Sequence, residues 1–424
     1  MDWLISVWKS GLMITLRDYQ ENISDKAAEK LHNNGLAYLS MEVRTGKTLT
    51  ALATAAKYGA KSVLFITKIK AIPSIRADYD LLSPEYKLEI INYESVHKCT
   101  GEYDLIVCDE AHSLGAYPKP SQRTKAVKTA ANGKPVLYLS GTPTPESYSQ
   151  LYHQLWVCSF SPFAKWKNFY SWAKSFVFKQ TKFVNGYTIV DYSRANKHLI
   201  DEYTKQLFIS YSQEQAGFSS NIVEHNIVVP MKESTSEYFK QLSKDKIITI
   251  DGKEILGDTP AKMLGKLHQL SSGTLIAEDG THLQLDASKA EYVKAHFRGQ
   301  KIAIFYTYQT EFEMLKSCFP NYTETPEEFQ SSSDKVFISQ VRKAREGVRL
   351  DSADSLIFFS FEYSYLSYEQ GRNRLISKER KTPADVYFLC SDFGIDRDIL
   401  DAVHGKQDFT LSYYGKCVSH RNTK

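Results

Sequence analysis

Two short strings carry the groups needed to hold a phosphorylated ligand. Arg44-Thr45-Gly46-Lys47-Thr48 follows an apolar run at 36–40, and Asp109-Glu110-Ala111-His112 follows another at 105–108. Where a strand turns into a helix, backbone N–H groups and the helix N-terminus face an anion. Lys47 can then reach the β and γ oxygens of a nucleoside triphosphate, and Thr48 can offer its hydroxyl to Mg2+. The carboxylates supply the rest. Asp109 holds the metal's hydration shell opposite Thr48, and Glu110 orients and deprotonates an attacking water. Either string alone also describes a plain helix start or a solvated strand end; their occurrence together, in this order, favours a joint site. Two further strings complete the set. Ser140-Gly141-Thr142 closes an apolar run at 136–140, and residues 370–374 fall on an expected helix, where Gln370 and Arg374 lie one turn apart on the same face.

These strings need a scaffold. Between 14 and 157, strand-like runs at 36–40, 62–67, 88–92, 105–108 and 136–140 alternate with helical stretches, notably 47–58, which ends at Gly59. Such alternation predicts a parallel sheet covered by helices on both faces. The plan repeats from 286 to 424, with strands expected at 302–306, 335–339, 356–359 and 385–390. The expected fold is α/β: parallel-sheet domains at 1–157 and 286–424, with a helical, aromatic insert and linker at 158–285.

The insert packs Trp166, Phe169, Tyr170, Trp172, Phe176 and Phe178 among Lys165, Lys167, Lys174 and Lys179. A stacking platform for nucleic acid has this composition. So does an amphipathic helical pair docked on the first domain with its lysines solvated. Asn185-Gly186 between apolar residues predicts a hairpin, and 246–260 reads as an exposed loop.

Composition sets the outer limits. The chain has 424 residues, 42% hydrophobic and 24% charged, too many for one core and typical of a soluble globular protein. A net charge of +4 permits nucleic-acid binding through local patches without requiring it. The six cysteines show no paired spacing, which predicts buried reduced thiols, a reducing cytoplasmic compartment and no zinc site. The apolar stretch 3–16 is interrupted by Lys9, Ser10 and Gly11 and is too short to span a bilayer.

Leu16-Arg17-Asp18-Tyr19-Gln20, the Gly-Lys-Thr loop, Asp-Glu-Ala-His, Ser140-Gly141-Thr142-Pro143 and Tyr368-Glu369-Gln370-Gly371-Arg372-Asn373-Arg374 together resemble superfamily 2 helicases. Asn92-Tyr93-Glu94-Ser95 and the string from Leu139 to Pro145 are similar to those of Swi/Snf-type ATPases and their short phage and bacterial relatives. The resemblance implies two RecA-like domains that share one ATP site, with closure completing catalysis. It implies that Gln20 reads the adenine edge, with Arg17 stacking or pairing nearby. It also implies that Ser140, Gly141 and Thr142 link the phosphate site to the bound strand.

Ser339-Gln340-Val341-Arg342, followed by Gly347-Val348-Arg349-Leu350, is similar to the family's fifth motif, with Gly347 allowing a tight turn. Arg374 is the leading arginine finger. The family's second arginine falls on Ser377, which leaves Arg372 or Arg380 as alternatives. Lys68, Asn92, Tyr93, Gln340 and Arg342 are the expected strand contacts. For the insert, the resemblance supports the core reading.

The implied activity is that of a monomeric ATP-dependent helicase or translocase, off the membrane, on DNA rather than RNA, in replication, repair or recombination. Met41 in place of the loop's first glycine, Arg44 and Ser377 motivate an alternative, a nucleic-acid clamp with little or no turnover; an RNA helicase is the other alternative. A P-loop kinase is disfavoured by Ser-Gly-Thr-Pro and by the second domain.

Overall fold

The computed structural model describes residues 15–184, 187–218, 221–344, 348–377, 380 and 382–405. The chain forms two compact units that divide between Gly217 and Phe218. The stretch 158–285 is therefore shared between them.

In the first unit, β1 (Leu36–Met41), β2 (Ser62–Thr67), β3 (Lys87–Asn92), β4 (Leu105–Cys108) and β5 (Val136–Leu139) form one sheet. β6 (Gln180–Val184) pairs only with β7 (Tyr187–Asp191), as an antiparallel ribbon. β8 (Phe208–Tyr211) returns to the edge of the main sheet, whose order is β3-β2-β4-β5-β1-β8, parallel throughout. Successive side chains of a strand point to opposite faces. In β1, Leu36 and Tyr38 accordingly join one buried cluster, while Ala37, Leu39 and Met41 join the other. Met41 is thus a core residue at a strand end, which explains why a large apolar side chain stands there.

The second unit repeats the design. β9 (Ile222–Val229) forms one edge of its main sheet, and two antiparallel pairs follow: β10 (Ile247–Ile250) with β11 (Lys253–Leu256), and β12 (Thr274–Ile276) with β13 (His282–Gln284). β14 (Ile302–Tyr306), β15 (Tyr322–Thr323), β16 (Val336–Gln340), β17 (Ser355–Phe358) and β18 (Ala384–Ser391) complete a parallel sheet in the order β15-β16-β14-β17-β18-β9. The expected fold of two RecA-like parallel-sheet domains is what the chain adopts.

One expectation is corrected. Residues 246–260 are not an exposed loop, because β10 and β11 lie there with Ile248, Ile250 and Ile255 buried. Asp251 and Gly252 both have positive φ (50° and 74°), the geometry of a tight hairpin turn. The hairpin expected around Asn185-Gly186 is present in its strands β6 and β7, and its two central residues lie outside the described ones.

The aromatic part of the insert, 160–183, makes one α-helix, Phe169–Phe176, and not the expected helical pair; Phe169, Trp172, Ala173 and Phe176 are buried in the first unit's core and Tyr170 is outside. Cys108, Cys158 and Cys390 are buried, and Cys417 lies outside the described residues. Among the described residues, no helix is long and apolar enough to cross a membrane.

Candidate active site

Parallel α/β sheets present ligand sites at the carboxyl ends of their strands. In the first unit that edge gathers residues from four of them. β1 runs into a loop in which Arg44 (φ 62°) and Gly46 (φ 81°) both adopt the left-handed conformation, and the helix Lys47–Tyr58 begins directly after. The first N–H groups of that helix have no intrahelical partner, and they lie just beyond the carboxyl end of β1. Lys47 Nζ donates to the carbonyls of Met41 (2.9 Å) and Glu42 (3.1 Å), holding its charge over the loop. Thr45 is buried and donates its hydroxyl to Glu42 O at 2.8 Å. Thr48 is the second residue of the helix, partly exposed.

The loop is clasped from both ends of the first unit's sequence. Tyr19 OH donates to Thr45 O (3.0 Å) and Gln20 Nε2 to Gly46 O (3.3 Å). Gln20 Oε1 accepts from Arg17 N at 3.0 Å, and Arg17 Nη1 donates to Tyr19 OH at 3.1 Å. A Cβ on residue 46 would fall 2.3 Å from Gln20 Nε2 and push that amide aside, and the φ of 81° itself favours glycine. On the other side, the Tyr19 ring stacks on Tyr211 with centroids 4.5 Å apart. Gln213 N donates to Glu42 Oε2 (2.7 Å) and Gln213 Nε2 to Val43 O (3.0 Å). Sequence reading missed Tyr211 and Gln213. Their link to the loop runs through the edge strand β8, about 170 residues away, which no local signal marks.

Asp109 ends β4. Its Oδ2 accepts from the Thr67 hydroxyl (2.8 Å) and its Oδ1 from Glu110 N (3.0 Å). Crowding out of water, and then the neighbouring Glu110 charge, push its pKa up to about 6; Thr67 and Lys47 pull the other way. Glu110 has φ 49°, a conformation that costs a non-glycine residue about 1–2 kcal/mol. Strain of this kind persists where the surroundings fix it, and it is concentrated at functional sites. His112 Nδ1 lies 3.3 Å from Glu110 Oε2 and 3.0 Å from Ser140 Oγ, which in turn accepts from Thr142 N at 3.1 Å. A Cβ on Gly141 would sit 3.3 Å from Met41 O and 3.7 Å from Lys47 Nζ. The structure therefore brings the first three strings to one place.

Of the expected strand contacts in this unit, Lys68 follows β2 and Asn92 ends β3, both partly exposed. Tyr93 is a correction: it is 2% exposed and donates its hydroxyl to Asp109 O, which makes it a support of the acid rather than a surface for a strand.

In the second unit, Gln340 ends β16 and donates to Thr307 O at 3.3 Å, and Arg342 pairs with Glu362 while keeping most of its side chain in solvent. Gly347 lies outside the described residues. Helix Tyr365–Arg372 carries Gln370, which is buried with its Oε1 unpartnered. Arg374 is 8% exposed, with Nε on Gln370 O (2.8 Å) and Nη1 on Val348 O (3.4 Å). Arg372 is held by Glu224 (2.9 Å) and Glu369 (2.8 Å), and Glu224 also takes the Tyr368 hydroxyl at 2.7 Å. Arg380 donates to five backbone carbonyls, including Ala353 O at 2.7 Å.

A family model described as "SNF2-related domain" matches residues 20–273. The chain belongs to that family. It is a superfamily 2, Swi/Snf-type, helicase-like ATPase, and nucleotide binding and hydrolysis are the family's chemistry. No curated protein matches it. Among solved structures, a chain titled "Sulfolobus solfataricus SWI2/SNF2 ATPase core domain" is similar over 96% of this chain and 91% of its own, at 16% identity and a TM-score of 0.42.

Proposed function

We propose that this SNF2-related chain couples ATP hydrolysis to movement along DNA, as a translocase or helicase in replication, repair or recombination. The observation that carries the reading is the continuous link at the first sheet's edge. It runs from Lys47 past Gly141, and from Glu110 through His112 to Ser140 and Thr142. The Lys47 ammonium and the helix that starts there, whose first N–H groups lack intrahelical partners, suit a triphosphate. Lys47, Thr45 and Gly46 would hold its phosphates, with Gln20 and Arg17 at the base. Thr48 and Asp109 would hold Mg2+, which supplies charge neutralisation on the phosphate oxygens when bound.

Glu110 takes the proton of the attacking water as the new O–P bond forms and the bond to the β–γ bridging oxygen breaks. His112, contacting both Glu110 and Ser140, transmits the state of the base to the Ser140–Thr142 turn. Arg374 is the guanidinium proposed to serve turnover, with Gln370 beside it. Lys68, Asn92, Gln340 and Arg342 are proposed to touch the nucleic-acid backbone, where lysine and arginine contacts bring salt dependence and little sequence preference.

The test is ATP turnover measured alone and with single-stranded, duplex and forked DNA and with RNA. Stimulation by DNA supports the reading. Stimulation by RNA alone moves the substrate to RNA. Background hydrolysis with every ligand, together with retained DNA binding, replaces the motor with a clamp.

A further inference from the structure

The aromatic segment that follows the first sheet sorts into two populations. Phe163, Phe169, Trp172 and Phe176 are at most 2% exposed and belong to the core. Tyr170 is 43% exposed and Phe178 is 61% exposed. Lys174 lies one helical turn from Tyr170, on the same outward face and exposed. The Tyr170 ring meets Tyr192 at 6.0 Å, and Lys179 Nζ stands 5.9 Å over that same Tyr192 ring. Phe178 N donates to Arg194 O at 2.8 Å, which places Phe178 at the root of the β6–β7 ribbon.

Scattered apolar residues on a surface need no explanation. Here, however, the exposed rings are interleaved with cations. Residues 159–196 contain six basic residues (165, 167, 174, 179, 182 and 194) against one acid, Asp191, a local charge of +5 in a chain whose total is +4. The chain's entire positive excess is concentrated on this segment.

We propose that this helix-and-ribbon surface of the first unit binds single-stranded nucleic acid, with bases stacking on Tyr170 and Phe178 and phosphates paired with Lys174 and Lys179. Charge complementarity selects a polyanion, and the rings select among polyanions. An unpaired base offers its face to an aromatic side chain, whereas a duplex keeps its faces stacked internally. An acidic protein would use the lysines and leave Tyr170 and Phe178 in water. The partner class rests on the function proposed above, but none of these residues belongs to the nucleotide site or to the strand contacts named there. The surface makes a single-stranded segment part of the preferred substrate.

The experiment uses the full chain and fluorescence anisotropy with an oligo-dT strand, a blunt duplex and polyglutamate. Tyr170→Ala with Phe178→Ala is expected to weaken oligo-dT binding by at least ~30-fold and leave the duplex affinity unchanged, while Tyr170→Trp retains it. Lys174→Gln with Lys179→Gln is expected to reduce the slope of log K against log salt by ~0.7 per lysine. Equal melting temperatures establish that the variants fold. Should the aromatic pair fail to fold, the salt slope of the lysine pair decides.

Wild-type binding with unchanged oligo-dT affinity and salt slope in the variants overturns this surface alone. Polyglutamate competing as well as oligo-dT, with the rings irrelevant, replaces nucleic acid by an acidic protein. A wild-type chain that binds no nucleic acid overturns this inference and the proposed function together.

Discussion

At the strand ends of the first sheet, the side chains proposed to serve ATP hydrolysis bond to carbonyls, a hydroxyl and an amide. Lys47 rests on two loop carbonyls, and Asp109 takes a hydroxyl and an amide while keeping some solvent exposure. In the second unit, the three arginines of the C-terminal motif are engaged internally. Arg372 sits between two carboxylates, Arg380 among five carbonyls, and Arg374 is buried on Gln370 O and Val348 O. One sheet edge is arranged to receive charge; the other has its guanidinium groups committed to its own backbone and acids. Arg374 differs from the other two in being bonded to the carbonyls of its own helix turn and of Val348.

The largest expected effect lies on the receiving edge. Lys47→Ala or Glu110→Gln should lower ATP turnover by at least ~10²-fold, and nucleotide affinity, read by calorimetry, should survive the second change better than the first. Equal loss of affinity in both would break the division of roles. Next comes Arg374→Ala. It should remove DNA stimulation, an effect of ~10³- to 10⁵-fold for a supplied arginine in NTPases. Because the side chain is buried, it should also cost about 1.5–3 kcal/mol in urea unfolding. Arg372→Ala should reproduce the stability loss without the loss of stimulation, and the reverse outcome would transfer the role.

A smaller effect concerns pH. Asp109 titrates near 6 because desolvation and Glu110 both oppose its ionisation. Its proton is held in the folded chain at pH values where an unfolded aspartate has lost it. This group therefore favours folding as pH falls through about 6 and opposes it above. Metal binding needs the ionised form, so Mg2+-dependent nucleotide affinity should drop as pH falls below about 6. In Glu110→Gln, which removes one of the opposing charges, that drop should begin at lower pH. An unchanged midpoint would mean that burial alone sets it. The smallest change is Tyr93→Phe, which deletes one hydrogen bond to Asp109 O and should cost about 1 kcal/mol.

The central strands were legible because buried parallel strands read as continuous apolar runs. Those at 62–67, 105–108 and 302–306 fall on β2, β4 and β14 residue for residue. The edge strands β8 and β9 were not, since each is partly exposed and gains its place only by pairing with a strand distant in sequence. The β10–β11 hairpin was hidden because its turn residues and charged outer positions resemble those of a loop. At the site, residue types and spacing pointed to Lys47, Asp109 and Glu110. Their supports escaped notice: Thr67, Gln213 and the buried orientation of Tyr93 are consequences of chain folding that carry no signature of their own.

The Gln20 amide couples the helix Asp18–Asn34 to the loop after β1. It fills the space beside Gly46 and bonds that residue's carbonyl, so it serves as a catch on the phosphate loop. A purine that recruited the same amide would have to undo the catch first, and by reciprocity anything that loosened the loop would free the amide for the purine. Base identity and loop shape would then be read as one variable, and a bare tripolyphosphate would leave the catch fastened.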